Sequence, residues 1–274
     1  MAAADLLVVI SDPVLRWTRV LHFQGSFLFI TPVCRLSTVA RFATNTVSVW
    51  VTVAFTFDRF VAICFEKLKS KYCREGTAAV VIGAVSVLGC LESVPWFFLY
   101  EHVYIINNIP WYCVPSESFL RSFLWGAFEM FHFTLTPCAP FLLILLLNVL
   151  TTRRILTASR ARRALRSRSD GEKVEDAELQ NRRRSIILLF SISGSFILLW
   201  VTMVGQMFYV RITGNYVYTS ISDPSFITEH VSTMLQLLST CTNTCIYAVT
   251  QRKFRKQLMC AVTCPIKLVI RIFK

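Results

Sequence analysis

Asp58 and Arg59 stand side by side in FTFDRFVAICF, a stretch that is otherwise apolar from Phe55 to Phe65. A charged side chain at the depth of a bilayer costs about 3 kcal/mol unless it lies near an interface or is paired. An adjacent acid and base can meet that condition as an ion pair close to the membrane surface. A snorkelling arginine at a helix end is the simpler alternative, and it needs no function.

Catalytic and metal-binding patterns are missing from the sequence. The apolar runs contain no H-E-x-x-H, no G-x-S-x-G and no repeated set of carboxylates and histidines. The ten cysteines show no C-x-x-C repeat and no spacing of Cys and His that suits a metal. We therefore expect a protein that is not an enzyme.

Composition places the chain in a membrane. Hydrophobic residues make up 54% of the 274 residues, phenylalanine alone accounts for 22, and only 16% are charged, which is too apolar for a soluble domain of this size. The net charge of +13 comes mostly from basic residues that lie between the apolar runs. Such residues orient a chain in the membrane and do not indicate a nucleic-acid partner.

The apolar runs predict an all-α transmembrane bundle over residues 1–250. A helix needs about 20 apolar residues to cross the hydrocarbon core. Five runs reach that length, and a shorter one at about 1–15 looks cut off and carries Asp5 in its middle, unlike a signal peptide. The five lie at about 33–65, 76–100, 123–150, 185–210 and 226–249.

The basic gaps orient this bundle. Lys67, Lys69, Lys71 and Arg74 follow the first long run, and a denser basic loop covers about 151–184. The positive-inside rule makes these loops and the tail 251–274 cytoplasmic, while the aromatic loops between them face outward. Six spans therefore leave both termini inside.

Motifs in these runs resemble those of rhodopsin-like G-protein-coupled receptors. The span from Cys34 to DRF resembles the family's third helix, which begins with a disulfide cysteine and ends in D/E-R-Y. AAADL with Asp5 resembles the second-helix motif, LLW ending in Trp200 the sixth, and NTCIY from Asn243 to Tyr247 the seventh. RKFRKQLMC resembles the short amphipathic helix that follows on the membrane surface. The resemblance implies a seven-helix receptor fold that lacks the first helix and part of the second.

The sequences of two motif regions resemble one subgroup of this family in particular. SVWVTVAFTFDRFVAICF and NTCIYAVTQRKFR look closest to an orphan group of brain receptors for aromatic amino acids and melanocortin-like peptides. The chain departs from the family at Phe60, where tyrosine is usual, and at Thr202 and Thr244, where prolines are expected. Each lost proline removes a kink that normally helps a helix pivot.

The resemblance also implies a disulfide and an ion site. Cys34 and Cys113 would form a bridge that holds the outer loop over the mouth of the bundle, with two unpaired thiols as the alternative. Four residues would meet in the middle of the membrane and hold an allosteric sodium ion: Asp5, Ser48, Ser239 and Asn243. An oxygen-only site suits a hard cation, and a protonated Asp5 bonded to its neighbours is the alternative. No other cofactor is implied.

The implied function is transmission of an extracellular signal across the plasma membrane by a multi-pass receptor. Asp58 would hold Arg59 at rest and release it toward a heterotrimeric G protein when the sixth helix swings outward, with Phe60 and Tyr247 in the same coupling region. A non-signalling truncated receptor and a transporter or channel subunit are alternatives. A transporter should show paired halves and Gly- or Pro-broken helices, whereas this chain has no internal repeat and only nine Gly.

Arg41 lies two helical turns below Cys34, at a depth where the family commonly contacts small-molecule or peptide ligands. A cation there suits a carboxylate or an acidic peptide and disfavours amines. Pairing of Arg41 with Asp12, Glu129 or Glu229 is the alternative. The candidate ligand pocket is Arg41, Phe42, Glu129, Trp200 and Glu229, with Trp200 at its floor. Five aromatic residues are candidates for an apolar lining: Phe42, Trp96, Trp111, Phe128 and Tyr209.

Overall fold

The computed structural model describes residues 2–17, 27–166, 175–214 and 222–250, together with 255–256, 259–260 and 263 of the tail. Within these ranges the side chains at 2, 15–17, 66, 159–166, 175–186, 188–189, 243–244 and 247–250 are not described. The surface helix expected at 251–274 therefore lies almost wholly outside the described residues.

Nine α-helices run through the described part of the chain. They are α1 Ala2–Val9, α2 Thr31–Cys64, α3 Glu66–Tyr72, α4 Glu75–Ser93, α5 Glu117–Arg121, α6 Phe123–Phe133, α7 Ala139–Arg166, α8 Glu175–Thr213 and α9 Pro224–Thr250. Wider or tighter helical turns extend them at Ile10–Trp17, Phe27–Phe29, Val94–Phe98 and Thr134–Cys138. The fold is therefore a helical bundle.

Four helical stretches among the described residues are long and apolar enough to cross a membrane. They are Thr31–Cys64, Glu75–Phe98, Phe123–Ala158 and Phe190–Thr213. Helix α9 covers the run at 226–249 but is not among the four. Its polar side chains are buried inside the bundle, which explains how a less apolar helix fits: Ser232, Thr233, Gln236, Ser239 and Thr240.

Two helices reach further than the apolar runs suggest. Helix α7 continues to Arg166 and α8 begins at Glu175, so much of the basic stretch 151–184 is helical, and residues 167–174 between them lie outside the description. Arginine, alanine, leucine and glutamate favour helix, and the charged ends need no apolar surroundings once outside the membrane.

Prolines explain where the helices change pitch. Pro13 and Pro137 each lie inside a wider, π-helical turn, where a missing N–H and a bulky ring are accommodated. Thr136, directly before Pro137, has the non-helical angles φ −130° and ψ 51°. Helices α8 and α9 instead run without interruption through Thr202 and Thr244, as their lack of proline predicts.

Helix α2 is the centre of the packing. Its residues Val49 and Val53 form one apolar cluster with Ile144 of α7 and with Phe196 and Trp200 of α8. On another side it meets α4 at Gly89, where a Cβ atom would lie only 2.9 Å from Cγ2 of Val47. The close approach of α2 and α4 thus depends on a residue without a side chain.

The outer loop between α4 and α5 forms two small antiparallel sheets. Strand β1 Tyr100–Glu101 pairs with β4 Val114–Pro115, and β2 Tyr104–Ile106 pairs with β3 Ile109–Trp111. The turn between β2 and β3 is Asn107–Asn108, and both residues have positive φ (51° and 61°), as primed hairpin turns require.

A disulfide between Cys34 and Cys113 joins this loop to the start of α2, which confirms the predicted bridge. The Cα atoms are 6.7 Å apart. Two hydrogen bonds lie beside it: the Thr31 hydroxyl donates to the Tyr112 carbonyl at 2.8 Å, and the Tyr112 N–H donates to the Phe29 carbonyl at 2.8 Å. The loop is therefore held over the outer end of α2.

Removing either bridge cysteine should lower the free energy of unfolding by about 2–5 kcal/mol, because the bridge spans a separation of 79 residues. Cys34→Ser, Cys113→Ser and the double variant should lower the thermal midpoint of the purified protein equally, since all three break one bond. Cys90→Ser, at a free and exposed cysteine of α4, is the control and should change little. Additive losses from the two single variants would contradict a shared bond.

Candidate functional site

A cavity of about 330 Å³ opens among the outer halves of the helices. All five residues of the candidate ligand pocket contribute to its wall: Arg41 and Phe42 of α2, Glu129 of α6, Trp200 of α8 and Glu229 of α9. Asp12, from the π-helical turn after α1, also lines it. The structure therefore places the five candidate residues, which come from four separate helices, around one cavity.

The expected aromatic lining is only partly correct. Phe42 and Trp96 line the cavity and stack with ring centroids 4.0 Å apart and planes at 11°. Phe128 packs behind Trp96 at 5.2 Å and is not part of the wall. Trp111 lies in strand β3 of the outer loop, and Tyr209 is 49% exposed on the outside of α8. The angular position of a side chain around a helix separates these groups, and aromatic content alone does not predict it.

Trp200 connects the cavity to the core below it. Its side chain lines the cavity, and its ring lies 5.5 Å from the ring of Phe196 in the apolar cluster shared with α2 and α7. A ligand that displaced Trp200 would therefore disturb the packing of α8 against α2.

Glu129 has a partner that the sequence did not single out. The guanidinium of Arg211, on α8, donates to the Glu129 carboxylate at 3.2 Å between Nη1 and Oε2. Gly126, one turn before Glu129 on α6, leaves room for that guanidinium, because a Cβ atom there would overlap Arg211. No local pattern around Arg211 predicts this pair.

A second pair outside the sequence prediction joins α4 to α6. Nδ1 of His132 lies 2.6 Å from Oε1 of Glu92, and both side chains are buried. His132 also lines the cavity and packs edge-on against Phe42 and Trp96. The aromatic wall of the cavity is thus fixed from behind by a polar contact. Glu92 and His132 lie 40 residues apart in the sequence. The one signal for a contact is that each is an ionisable residue inside an apolar run, where it needs a partner.

The predicted polar cluster is partly assembled. Ser48 donates to Oδ1 of Asp5 at 2.6 Å, and both residues are buried. Ser239 is buried on α9 as well, whereas the side chain of Asn243 lies outside the described residues. Nearby, the hydroxyls of Ser11 and Thr44 share a hydrogen bond of 2.9 Å. Oxygen atoms thus dominate this part of the interior.

The cytoplasmic end of α2 carries the ion pair that the sequence singled out. Nη2 of Arg59 lies 3.0 Å from Oδ2 of Asp58, and the guanidinium carbon lies 5.1 Å from the centre of the Phe55 ring. Phe60 packs edge-on against Phe65 at 5.5 Å. The side chain of Tyr247, which was placed in the same region, lies outside the described residues.

Cys73, in the short connection between α3 and α4, contacts the backbone of Asp58. The thiol of Cys73 lies 3.8 Å from the Asp58 carbonyl oxygen, to which it donates. Partial burial raises the pKa of the Cys73 thiol, and the neighbouring Asp58 raises it further. Because the ordinary value is already 9.0, this thiol is protonated at neutral pH and is a poor nucleophile.

The described residues form a transmembrane helical bundle with an outer cavity and an ion pair at the other end of α2, and comparison with known proteins gives its class. The chain belongs to the rhodopsin family of seven-transmembrane receptors, whose model matches residues 1–247. It is therefore a multi-pass protein of the plasma membrane.

Two curated relatives are individual receptors of known name. The chain is 24% identical over 262 residues to atypical chemokine receptor 3 of Rattus norvegicus, and likewise to atypical chemokine receptor 3 of Mus musculus. The match covers 94% of this chain and 67% of each relative. Neither relative's name indicates the brain receptor subgroup suggested by the sequence, so that subgroup stays a prediction.

Gly126→Ala should displace the Arg211 guanidinium and leave the buried Glu129 carboxylate without this contact, so the variant's free energy of unfolding should be about 1–3 kcal/mol lower than that of Gly205→Ala. Gly205→Ala on α8 is the matched control, because a Cβ atom there meets nothing within 4 Å. That control should be neutral or slightly stabilising, since alanine favours helix by up to about 1 kcal/mol. The measurement is the thermal midpoint of each purified variant.

A double-mutant cycle separates this mechanism from simple crowding. In the background of Arg211→Gln, the same Gly126→Ala substitution should cost much less. An equal cost in both backgrounds would show that the glycine acts independently of the Glu129–Arg211 pair.

Proposed function

We propose that this protein is a G-protein-coupled receptor that passes an extracellular ligand signal to a cytoplasmic heterotrimeric G protein and has no catalytic activity of its own. The observation that carries the proposal is the placement of two features on one helix. Helix α2 contributes Arg41 and Phe42 to the outer cavity and Asp58 and Arg59 to the cytoplasmic ion pair. Asp58 lies 17 residues after Arg41, which is about 25 Å along the helix and separates the two sites by most of the membrane.

The link between the two sites is the packing of α8 on α2. Trp200 forms part of the cavity wall and of the apolar cluster that includes Val49 and Val53. A ligand that moves Trp200 changes this contact, and α8 then swings outward at its cytoplasmic end. Since α8 has no proline at Thr202, the helix moves as one body and does not bend at a kink.

The ion pair sets the resting state in this mechanism. Asp58 holds Arg59 while the receptor is inactive, and the active state uses Arg59 to contact the G protein. The side chains of Asp58 and Arg59 are roughly one-third exposed, so their attraction is screened, and we assign it no more than about 1 kcal/mol. A contact of this size can bias a balanced equilibrium and cannot lock it.

The ligand is a small molecule or a peptide. Arg41 favours a carboxylate in that ligand, while Phe42 and Trp96 offer an aromatic surface to an apolar group. The names of the two relatives favour a chemokine as a second candidate ligand class. Separate binding measurements with a small aromatic carboxylate, an acidic peptide and a chemokine would distinguish these candidates.

The oxygen-rich cluster fits a sodium ion. Asp5, Ser48 and Ser239 are buried and offer one carboxylate and two hydroxyls, which is the donor set that a hard cation prefers. These three residues and Asn243, whose side chain lies outside the described residues, would hold the ion, and its charge would compensate the buried carboxylate in the inactive state. Ser48 already orients the Asp5 carboxylate through its hydrogen bond.

Asp58→Asn should raise ligand-independent nucleotide exchange on purified heterotrimeric G proteins about two- to fivefold, because the resting state loses a contact that the active state does not use. Arg59→Ala should instead suppress exchange while ligand binding stays nearly intact. Both variants are compared at equal amounts of folded protein in nanodiscs. Glu117→Gln, which breaks the exposed Glu117–Arg121 pair on the outer side, is the matched control and should have no effect. Equal exchange by wild type and Asp58→Asn would refute the role of the ion pair, and uptake of a solute without any exchange would favour a transporter.

Asp5→Asn should abolish any difference in thermal midpoint between equimolar NaCl and KCl, whereas the wild type should be more stable in NaCl. Asp12→Asn, at an acid further along the same segment, should keep the difference. A wild type that melts equally in both salts would favour a protonated Asp5 bonded to its neighbours.

A further inference from the structure

A second cavity, of about 390 Å³, lies between α2 and α4 near their cytoplasmic ends. We call it the α2–α4 groove. Its walls are mostly apolar, with Val51, Ala54 and Phe55 on α2 and Val81 and Ile82 on α4. It is separate from the outer cavity, because the two share no lining residue among those that the structure describes.

The groove lies where α2 and α4 are not in close contact with each other. They approach closely at Gly89, and toward the cytoplasm Ala54 and Ala78, which both line the groove, carry small side chains. Phe57 and Ile82, which also line the groove, are 38% and 45% exposed, so the groove opens on the outer surface of the bundle. In a membrane that surface contacts lipid chains.

The rim of the groove is charged. Arg59 and Arg74 line it together with Asp58 and Glu75, so the lining alone is balanced. Helix α3, whose last residue Tyr72 lines the groove, adds the exposed Lys67, Lys69 and Lys71 to this end of the bundle. The side chain of Arg59 is 39% exposed, so its guanidinium has accessible surface beyond its contact with Asp58. The rim is therefore basic and faces the cytoplasmic leaflet, where anionic lipids concentrate.

We propose that the α2–α4 groove binds an anionic phospholipid of the cytoplasmic leaflet, with an acyl chain between the two helices and its phosphate against Arg59 and Arg74. The apolar walls exclude a soluble anion as the main occupant, since they supply surface that only a hydrocarbon chain covers favourably. The basic rim distinguishes this lipid from a neutral one. The phosphate competes with Asp58 for Arg59, and that consequence for signalling rests on the proposed function.

The test is photo-crosslinking of the full chain in nanodiscs that contain a trace of phosphatidylglycerol with a photoreactive acyl chain. A phosphatidylcholine with the same reactive chain is the reference. Phosphatidylglycerol should label the peptide that contains Val81 and Ile82 in preference to phosphatidylcholine. Ala78→Phe, which fills the groove, should remove most of this labelling. Val80→Phe is the matched control, because Val80 is 72% exposed and does not line the groove.

Two further variants test the contact with the phosphate. Arg74→Gln should reduce the preference for phosphatidylglycerol about fivefold, the effect expected of one basic residue at an anionic surface. Asp58→Asn should raise labelling, because Arg59 then interacts with one anion and not with two. Both substitutions are at the rim and leave the apolar walls unchanged.

The outcomes are distinct. Equal labelling by the two lipids would overturn the proposal in favour of ordinary lipid contact. Labelling that persists in Ala78→Phe would place the lipid elsewhere. Labelling that is insensitive to Arg74→Gln and to Asp58→Asn would exclude the phosphate contact. Because crosslinking requires no G protein, its failure is distinguishable from failure of the proposed signalling function.

Discussion

Polar side chains inside a membrane protein must find their partners within the protein, and this constraint shapes the whole bundle. Helix α2 shows the simplest solution. Thr38, Thr52 and Thr56 are buried, and each hydroxyl donates to the carbonyl four residues earlier on the same helix, at 2.9 to 3.0 Å. A helix can therefore carry many hydroxyls through an apolar interior without relying on its neighbours, and those that do reach a neighbour gain specificity.

Three contacts of buried ionisable side chains instead join separate parts of the bundle. Glu92 and His132 connect α4 to α6, and Glu129 and Arg211 connect α6 to α8. Asp5 connects the first segment to α2 through Ser48. Because each contact joins two helices, a shift of one helix changes the contacts of its neighbour. Two of these residues, Glu129 and His132, also line the outer cavity, so a ligand there would meet contacts that join α4, α6 and α8.

The sequence predicted the class of fold and the disulfide, because these depend on features that a sequence carries directly. The five pocket residues that the sequence singled out are among those that line the outer cavity, and their role in ligand binding stays a prediction. Apolar runs record the spans, and Cys34 lies at the outer start of one. The pairs Glu129–Arg211 and Glu92–His132 could not be predicted, since they depend on how helices rotate about their axes. The same rotation decides that Trp96 faces the cavity while Tyr209 faces outward. The role of Gly126 is evident only once Arg211 is in place beside it.

Helix α8 has 39 residues, which corresponds to about 58 Å and exceeds the roughly 30 Å hydrocarbon core by a wide margin. Trp200 lies 25 residues from its first residue, a distance of about 37 Å along the axis. A rigid rod of that length works as a lever: a tilt of about 10° at Trp200 displaces the cytoplasmic tip by about 6 Å. The arm of α8 between Glu175 and Trp200 is thus long enough that a small tilt at Trp200 would move its tip by about one helical turn.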